Sequence, residues 1–306
     1  MNARIQKVKK IFLGMKFTDG LLFKIIVYSL LIILAFVFVY PLLYMLSISL
    51  QSLDDLLNPM VNQVPTKLYF KNFQDAFRVL DYMPTLGKSV YIILIPALLQ
   101  TIIASLVGYG FARFEFRGKR FWMMLVILTY IIPPQVTMIP KYVLFHNMGF
   151  LGNALSIIIP ASFGQGLNSA IFILIFYQFF RQIPKSLDEA AQMDGASPLY
   201  IYFRISIPLS IPSIVTSFLF SFVWYWNETY ISSLFLDKNN RTLQVMLQNF
   251  VSEYKSVMGG EAGQDVANEA VRMAATILII LPMLLVYLVL QKSFIEGIDR
   301  AGITGE

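Results

Sequence analysis

Six long stretches of this chain contain no Asp, Glu, Lys or Arg, and this spacing of charge constrains the fold more than any other feature. They cover residues 25–53, 89–112, 121–140, 142–180, 205–227 and 273–291. A helix needs about 20 apolar residues to cross a bilayer core of about 30 Å. The fourth stretch is long for one crossing. His146, Asn147, Gly149, Gly152 and Asn153 mark an exposed turn near its start, which leaves a helix at about 154–180. The fifth is expected to continue past Glu228 to Leu236, with a turn from Asp237 to Arg241. Backbone groups in lipid must pair internally, so the spans should be helices. The alternating segments of about 10 residues that mark a membrane barrel are missing. Composition agrees, since 57% of the residues are apolar and only 14% charged, against roughly 25% charged in an ordinary soluble domain. The expected fold class is an all-α membrane protein with six transmembrane helices. Pro41, Pro133, Pro134, Pro160, Pro208, Pro212 and Pro282 fall in or beside the runs and mark kinks, whether for packing or for motion.

Lys and Arg set the orientation. Arg4, Lys7, Lys9, Lys10, Lys16 and Lys24 precede or open the first run. Arg113, Arg117, Lys119 and Arg120 follow the second. Arg181, Lys185 and Arg204 separate the fourth from the fifth, and Lys292 and Arg300 follow the sixth. The alternate loops carry fewer, which favours both termini in the cytoplasm. The expected organisation is a basic cytoplasmic N-terminus at 1–24, a six-span transmembrane domain at 25–291 and a cytoplasmic tail at 292–306. The first apolar run is too long for the core of a signal peptide and no A-x-A-like site follows it, so it reads as an uncleaved span. The net charge of +6, spread in this way, points to a membrane surface and lipid, with no nucleic acid as partner.

Chemistry-bearing motifs are sparse. One His and no Cys leave no metal cluster, and His146 stands apart from any partner constellation. No catalytic residue and no cofactor are expected. Gly87-Lys88-Ser89 imitates the end of a phosphate-binding loop, but Tyr82 stands where its first Gly belongs, and the segment opens an apolar run. A transporter built on this chain would draw its energy from a separate subunit or from an ion gradient.

The loop at 181–204, RQIPKSLDEAAQMDGASPLYIYFR, has readable local grammar. Ser186 to Glu189 spells a capping box, S-x-x-E. A short helix follows at 187–194, with Ala190 and Ala191 as a small-residue face and Gly195 placed to end it in a left-handed cap. Ser197-Pro198 opens the next helix. Glu189-Ala190-Ala191, Asp194-Gly195-Ala196, Phe203, Ile207-Pro208-Leu209 and Pro212 resemble the EAA signature of bacterial ABC importer permeases. Gly108-Tyr109-Gly110-Phe111-Ala112-Arg113-Phe114 with Phe116-Arg117-Gly118 is similar to the Y-x-F-A-R-F-x-F-R-G run of the sugar-importer branch. Trp224 to Glu228 and Gln291-Lys292-Ser293-Phe294 fit the same branch, and the closest likeness is to the shorter membrane subunit of maltose-type importers.

The resemblance implies a type I importer transmembrane domain, with a permease core at about 86–291, in the bacterial cell membrane. The short helix would be a coupling helix. Glu189, Ala190, Ala191, Asp194, Gly195 and Ala196 would then serve ATPase coupling, with Glu189 facing basic or polar groups of the ATPase and Gly195 permitting the turn. The implied partners are a second homologous permease subunit, two cytoplasmic ATPase subunits, an extracytoplasmic sugar-binding protein and a sugar substrate. The ATP hydrolysis would reside in the partners, so this chain itself would be no enzyme. The tail at 297–306 resembles the family's short tail reaching toward the ATPases, but ends Gly302-Ile303-Thr304-Gly305-Glu306 where a GAVKG-like ending is usual.

Trp224, Asn227, Glu228 and Tyr230 form a second candidate set, a substrate pathway or gate. Acids within apolar spans are costly and commonly functional. Aromatic faces with amides and a carboxylate suit sugars. The competing reading is an aromatic belt at headgroup depth. Three other functions stay open at this point: an ion-coupled secondary transporter, a membrane receptor or anchoring protein without transport, and an ABC permease for a non-sugar solute.

Overall fold

The structure, a computed structural model, describes residues 20–61, 63–259 and 268–303, with side chains described up to residue 292. The basic residues at 4–16 and the last residues of the tail lie outside the described residues. The chain divides into two compact units, one of residues up to 75 with 268–277, the other of 76–267 with 278 onward.

In the first unit, α1 (Leu21–Ser49) is one continuous helix through Pro41. Its run of Leu, Ile, Val and Phe leaves no polar stripe, and none of its most apolar window is buried within the chain. Ser52 caps the short α2 (Leu53–Leu57) by accepting a hydrogen bond from the Asp55 N–H at 3.2 Å. Asp55 Oδ1 accepts a hydrogen bond from Thr66 Oγ1 at 2.6 Å, which holds its carboxyl below the usual carboxylate range. Asn72 donates to the carbonyls of Ser49 and Gln51 at 2.9 and 2.7 Å, satisfying the end of α1. Asn72 lies on α3 (Lys71–Val79), which leads into the second unit.

The second unit is organised on α4 (Tyr82–Arg113). There follow α5 (Lys119–Ile131), α6 (Pro134–Asn147), α7 (Leu155–Ser162), α8 (Ser169–Gln182) and α9 (Lys185–Met193). After α10 (Pro198–Ile201), a π-helical turn (Tyr202–Ser206) runs into α11 (Ile207–Leu209) and then α12 (Ile211–Asn227). The chain continues through α13 (Tyr230–Phe235), α14 (Leu243–Gln248), α15 (Phe250–Met258) and the long α16 (Glu269–Ile303), whose first residues belong to the first unit. Among the described residues the sole β pairing is an isolated Gly152–Leu236 bridge.

α4 packs most extensively on α8, then on α12 and α7. Gly108 makes the α4–α8 approach possible. A Cβ there would stand 2.6 Å from the Cβ of Phe176 and 2.9 Å from the backbone nitrogen of Tyr177. Small residues at such crossings let helix backbones come close in apolar surroundings. Around them sit Tyr109, Phe172, Phe176, Phe180 and Tyr202, all buried, with Tyr109 and Phe180 edge to face at 5.3 Å. A second cluster joins Ile92, Ala97, Ala161, Phe222 and Trp226. Beside it the buried Tyr225 hydroxyl donates to Gln100 Oε1 at 2.9 Å and accepts from the Leu167 N–H at 3.1 Å, and Gln100 Nε2 donates to the Leu167 carbonyl at 2.7 Å. Those bonds satisfy polar groups that would otherwise be buried unpaired.

The apolar runs are cut more finely than their lengths predict. α1, α4 and residues 269–292 of α16 are each long and apolar enough to cross a membrane. The run at 121–140 is broken. α5 and α6 meet at a 95° bend, where the Pro133-Pro134 pair removes two backbone donors. α6 then passes Pro140 and Lys141 and ends at Asn147, so the turn begins at Met148 rather than at His146. The expected helix at 154–180 is two helices, parted at 163–168, where Asn168 takes a left-handed φ of 53°. The fifth run bends by 78° at Ser210, between Pro208 and Pro212, and its helix stops at Asn227 instead of reaching Leu236. Glu228 is extended, with ψ at 118°. Counting each bent pair as one span gives up to five candidate spans among the described residues.

Candidate functional site

Two places collect the residues singled out in the sequence. The first is α9 and its flanks. Pro184 fixes the helix start, one residue before Lys185, and no side chain caps it. Ser186 therefore lies inside the first turn, and the expected Ser186–Glu189 capping box is not formed. The other end follows its sequence grammar. Gly195 takes a left-handed φ of 83°. Its N–H donates to the Gln192 carbonyl at 3.0 Å, and the Ala196 N–H donates to the Ala191 carbonyl at 2.9 Å. This pair of bonds is a Schellman closure. Ser197 caps α10, accepting from the Tyr200 N–H at 3.3 Å.

The loop thus presents α9 as a small exposed knob, closed at its end by these bonds. Glu189, Ala190, Asp194 and Gly195 are exposed, and Ala191 and Ala196 are half-buried. Met193 is 88% exposed, with Leu187 and Phe203 also open. Underneath, Asp188 is buried, with Oδ2 3.1 Å from Arg113 Nε. Arg113 Nη2 also donates to the Ile183 carbonyl at 3.0 Å. The last residue of α4 therefore grips the segment on both sides of Pro184. In the sequence Asp188 has no assigned role and Arg113 is a topology marker within the aromatic run, so their pairing goes unread there. A signal existed: the cation ending a long apolar run needs a nearby carboxylate or interface water. In the adjoining loop, Lys119 Nζ hydrogen-bonds Glu115 at 2.8 Å and, with Lys185 of α9 nearby, holds that carboxyl below its usual range.

The second place is a cavity of about 270 Å³ in the second unit. It lies where three interrupted helices meet: the α5–α6 bend, the 163–168 break and the Glu228 break. Irregular backbone in apolar surroundings is tolerated where it is buried in protein or lines a cavity. Pro134, Met138, Phe145 and Ile157 form apolar wall, and Lys141, Gln165, Asn168, Ser169 and Glu228 bring polar groups. Of the four pathway residues proposed from the sequence, only Glu228 lines it. Its Oε1 accepts the Ile231 N–H at 2.7 Å, and its Oε2 accepts the Ser232 N–H and hydroxyl at 2.9 and 3.1 Å. The carboxylate thus caps α13. Trp224 is half-buried instead against Phe172, with ring centroids 5.1 Å apart. Asn227 and Tyr230 are exposed, and Asn227 Nδ2 donates to the Val223 carbonyl at 2.8 Å. The helix break after Asn227 takes Glu228 and Tyr230 off the helical register of Trp224 and Asn227, which both lie on α12. Gly87-Lys88-Ser89 lies inside α4, with Lys88 Nζ donating to the Asn239 carbonyl at 2.7 Å and Ser89 Oγ accepting from the Leu243 N–H at 2.8 Å.

Comparison with known proteins follows the same lines. The family described as "Binding-protein-dependent transport system inner membrane component" matches residues 90–300. The chain is 28% identical over 289 residues to the polygalacturonan/rhamnogalacturonan transport system permease protein YtcP of Bacillus subtilis (strain 168), covering 93% of this chain and 99% of that one. It is 31% identical over 268 residues to the melibiose/raffinose/stachyose import permease protein MelC of the same organism, covering 87% and 91%. A solved bacterial ABC transporter involved in the import of the acidic polysaccharide alginate superposes with a TM-score of 0.75 at 25% identity, covering 89% of this chain and 96% of that chain. The match over most of the chain, together with its interrupted apolar helices, establishes the protein as a member of the binding-protein-dependent transport family, an inner membrane permease component.

Proposed function

We propose that the chain is one of two transmembrane subunits of an ATP-driven sugar or oligosaccharide importer, coupling hydrolysis in separate ATPase subunits to alternating access. The observation that carries this is the exposed helix α9, closed by Gly195 and pinned beneath by Arg113 and Asp188. A docking lever must be accessible, rigid and attached to the spans. Glu189 offers a carboxylate beside open Leu187 and Met193, a surface that fits a cleft with apolar floor and basic rim on a cytoplasmic ATPase. The cargoes of the relatives are saccharides, both neutral and acidic, which supports a saccharide here.

In this reading the chain crosses the membrane six times, both termini cytoplasmic. Three crossings are α1, α4 and α16. The other three are the broken pairs α5–α6, α7–α8 and the segment from α10 to α12. A second permease subunit would cover part of the apolar surface, and an extracytoplasmic binding protein would deliver the sugar to the loops opposite α9. Closing the ATPases would push on α9, and Arg113 would carry the displacement into α4 and its partner α8. The substitution Glu189→Lys tests the docking. Insertion and abundance should match wild type while ATP-driven sugar uptake into proteoliposomes is lost. Wild-type uptake by that variant would contradict the proposal.

A further inference from the structure

The cavity is lined by one ammonium, and among the described residues no opposite charge pairs with it. Lys141 lines it and has no ion pair or hydrogen bond among the described residues. Lys141 is also the single residue among Asp, Glu, Lys and Arg across 121–180. Lys141 is exposed, yet it lies in an apolar run that the six-span reading places in the bilayer, where an ionisable group is costly and is kept for a partner. The carboxylate sharing the cavity, Glu228, spends both oxygens on the first turn of α13. A second, independent observation points the same way. Ser169 is 4% exposed, lines the same cavity, and its hydroxyl has no hydrogen-bond partner. A buried unpaired hydroxyl forfeits the interaction it had with water unless a ligand restores it. Gln165 and Asn168 add amide donors and acceptors to the same wall.

We infer that this cavity is a subsite for a carboxylate-bearing sugar, a uronate unit of the transported saccharide, with Lys141 as the charge partner and Ser169 as a hydroxyl partner. This rests on the saccharide-import reading above and names the class of cargo. One ammonium matches one carboxylate. A phosphorylated sugar would bring a second negative charge against Glu228 with no second cation lining the cavity. A neutral sugar would leave Lys141 unanswered. The volume of about 270 Å³ is near the lower end of the roughly 300–1,000 Å³ of ligand pockets, so the subsite would hold a short piece of a chain at a time.

The test uses the full transporter, with its sister permease and ATPases, in lipid nanodiscs and in proteoliposomes. The probes are digalacturonate and its dimethyl ester, which differ in charge while sharing the sugar framework. Wild type should bind digalacturonate about tenfold or more tightly than the ester. Lys141→Met should bring that ratio to near one, Lys141→Arg should keep it, and Ser169→Ala should weaken both probes. Co-purification of the ATPases with each variant confirms assembly. Equal binding of both probes by wild type, or binding of neither, overturns the subsite. So does an equal loss of both in Lys141→Met, the result expected if Lys141 instead pairs with an acid of the sister permease. Uptake separates the two levels. ATP-driven uptake of a neutral sugar without acid preference overturns the subsite alone, whereas no ATP-driven uptake of any sugar overturns the importer reading beneath it.

Discussion

Gly108 shows how much one absent atom can decide. It lies in the aromatic-rich run before Arg113, a run whose sequence suggests identity rather than contact. The structure makes it the crossing point of α4 and α8, with Phe176 and Tyr177 within 3 Å of where a Cβ would go. Gly108→Val should overpack that crossing and cost roughly 1–3 kcal/mol, read as a lower thermal midpoint of the purified complex. Gly110→Val, two residues on, meets no atom within 4 Å at its Cβ and should move the midpoint little, since Val is no poorer a helix former than Gly. The two glycines are indistinguishable in sequence, because the pattern does not say which helix face meets a neighbour. Glu228 carries the converse lesson. An acid beside an apolar run was rightly marked as unusual, but its burial is answered locally, by two N–H groups and a hydroxyl of α13. The signal locates the cavity wall but not its neighbours, because helical spacing from Trp224 and Asn227 does not carry across the break to Glu228 and Tyr230.

Among the elements, α9 was the most legible. Its left-handed end at Gly195 and the Ser197 cap of the next helix follow from local residue chemistry that tertiary contacts seldom override, whereas its start is set by Pro184 and not by the expected Ser186–Glu189 box. What was hidden is the long-range half, Arg113 reaching from α4 to Asp188 and to the Ile183 carbonyl, since no local rule links residues 75 positions apart. Both side chains are largely shielded, at 5% and 13% exposure, so removing one leaves the other's charge buried. Arg113→Leu should destabilise by about 3–5 kcal/mol. Pairing it with Asp188→Leu removes the stranded charge and should recover much of that loss. If the pair also transmits force, the double variant will assemble with its ATPases and hydrolyse ATP while taking up sugar poorly. Full uptake by the double variant would reduce the pair to a structural staple. The helix breaks were the least legible elements. Pro133-Pro134 and Pro208 were visible as potential kinks, but proline alone does not separate a gentle kink from bends of 95° and 78°; Pro41 and Pro282 lie inside helices that run straight on.

For the whole molecule the open physical question is how the interrupted helices sit across the bilayer. Charge-free length finds apolar segments, and it counts six. Among the described residues, geometry finds three unbroken helices and two bent pairs, and a pair bent by 95° can either cross or turn back. The chain lacks Cys, so single cysteines report topology without a background. Four exposed positions bracket the doubtful segments: Glu115, Met148, Gln192 and Lys238. With six crossings, Glu115→Cys and Gln192→Cys should react with a membrane-impermeant maleimide only from the cytoplasmic side, and Met148→Cys and Lys238→Cys only from outside. If α5 and α6 form a re-entrant hairpin, Met148→Cys reacts on the same side as Glu115→Cys. In that case α7 and α8 together must also return to their starting side for α9 to remain cytoplasmic. The energetics favour the crossing. A re-entrant α5–α6 would leave the exposed apolar faces around Trp122, Ile131 and Ile139 partly in water, at a cost near 25 cal/mol for every Å², whereas a crossing gives them lipid or a sister subunit. Labelling of Met148→Cys from the cytoplasm would overturn the six-span arrangement and with it the placing of the binding protein opposite α9.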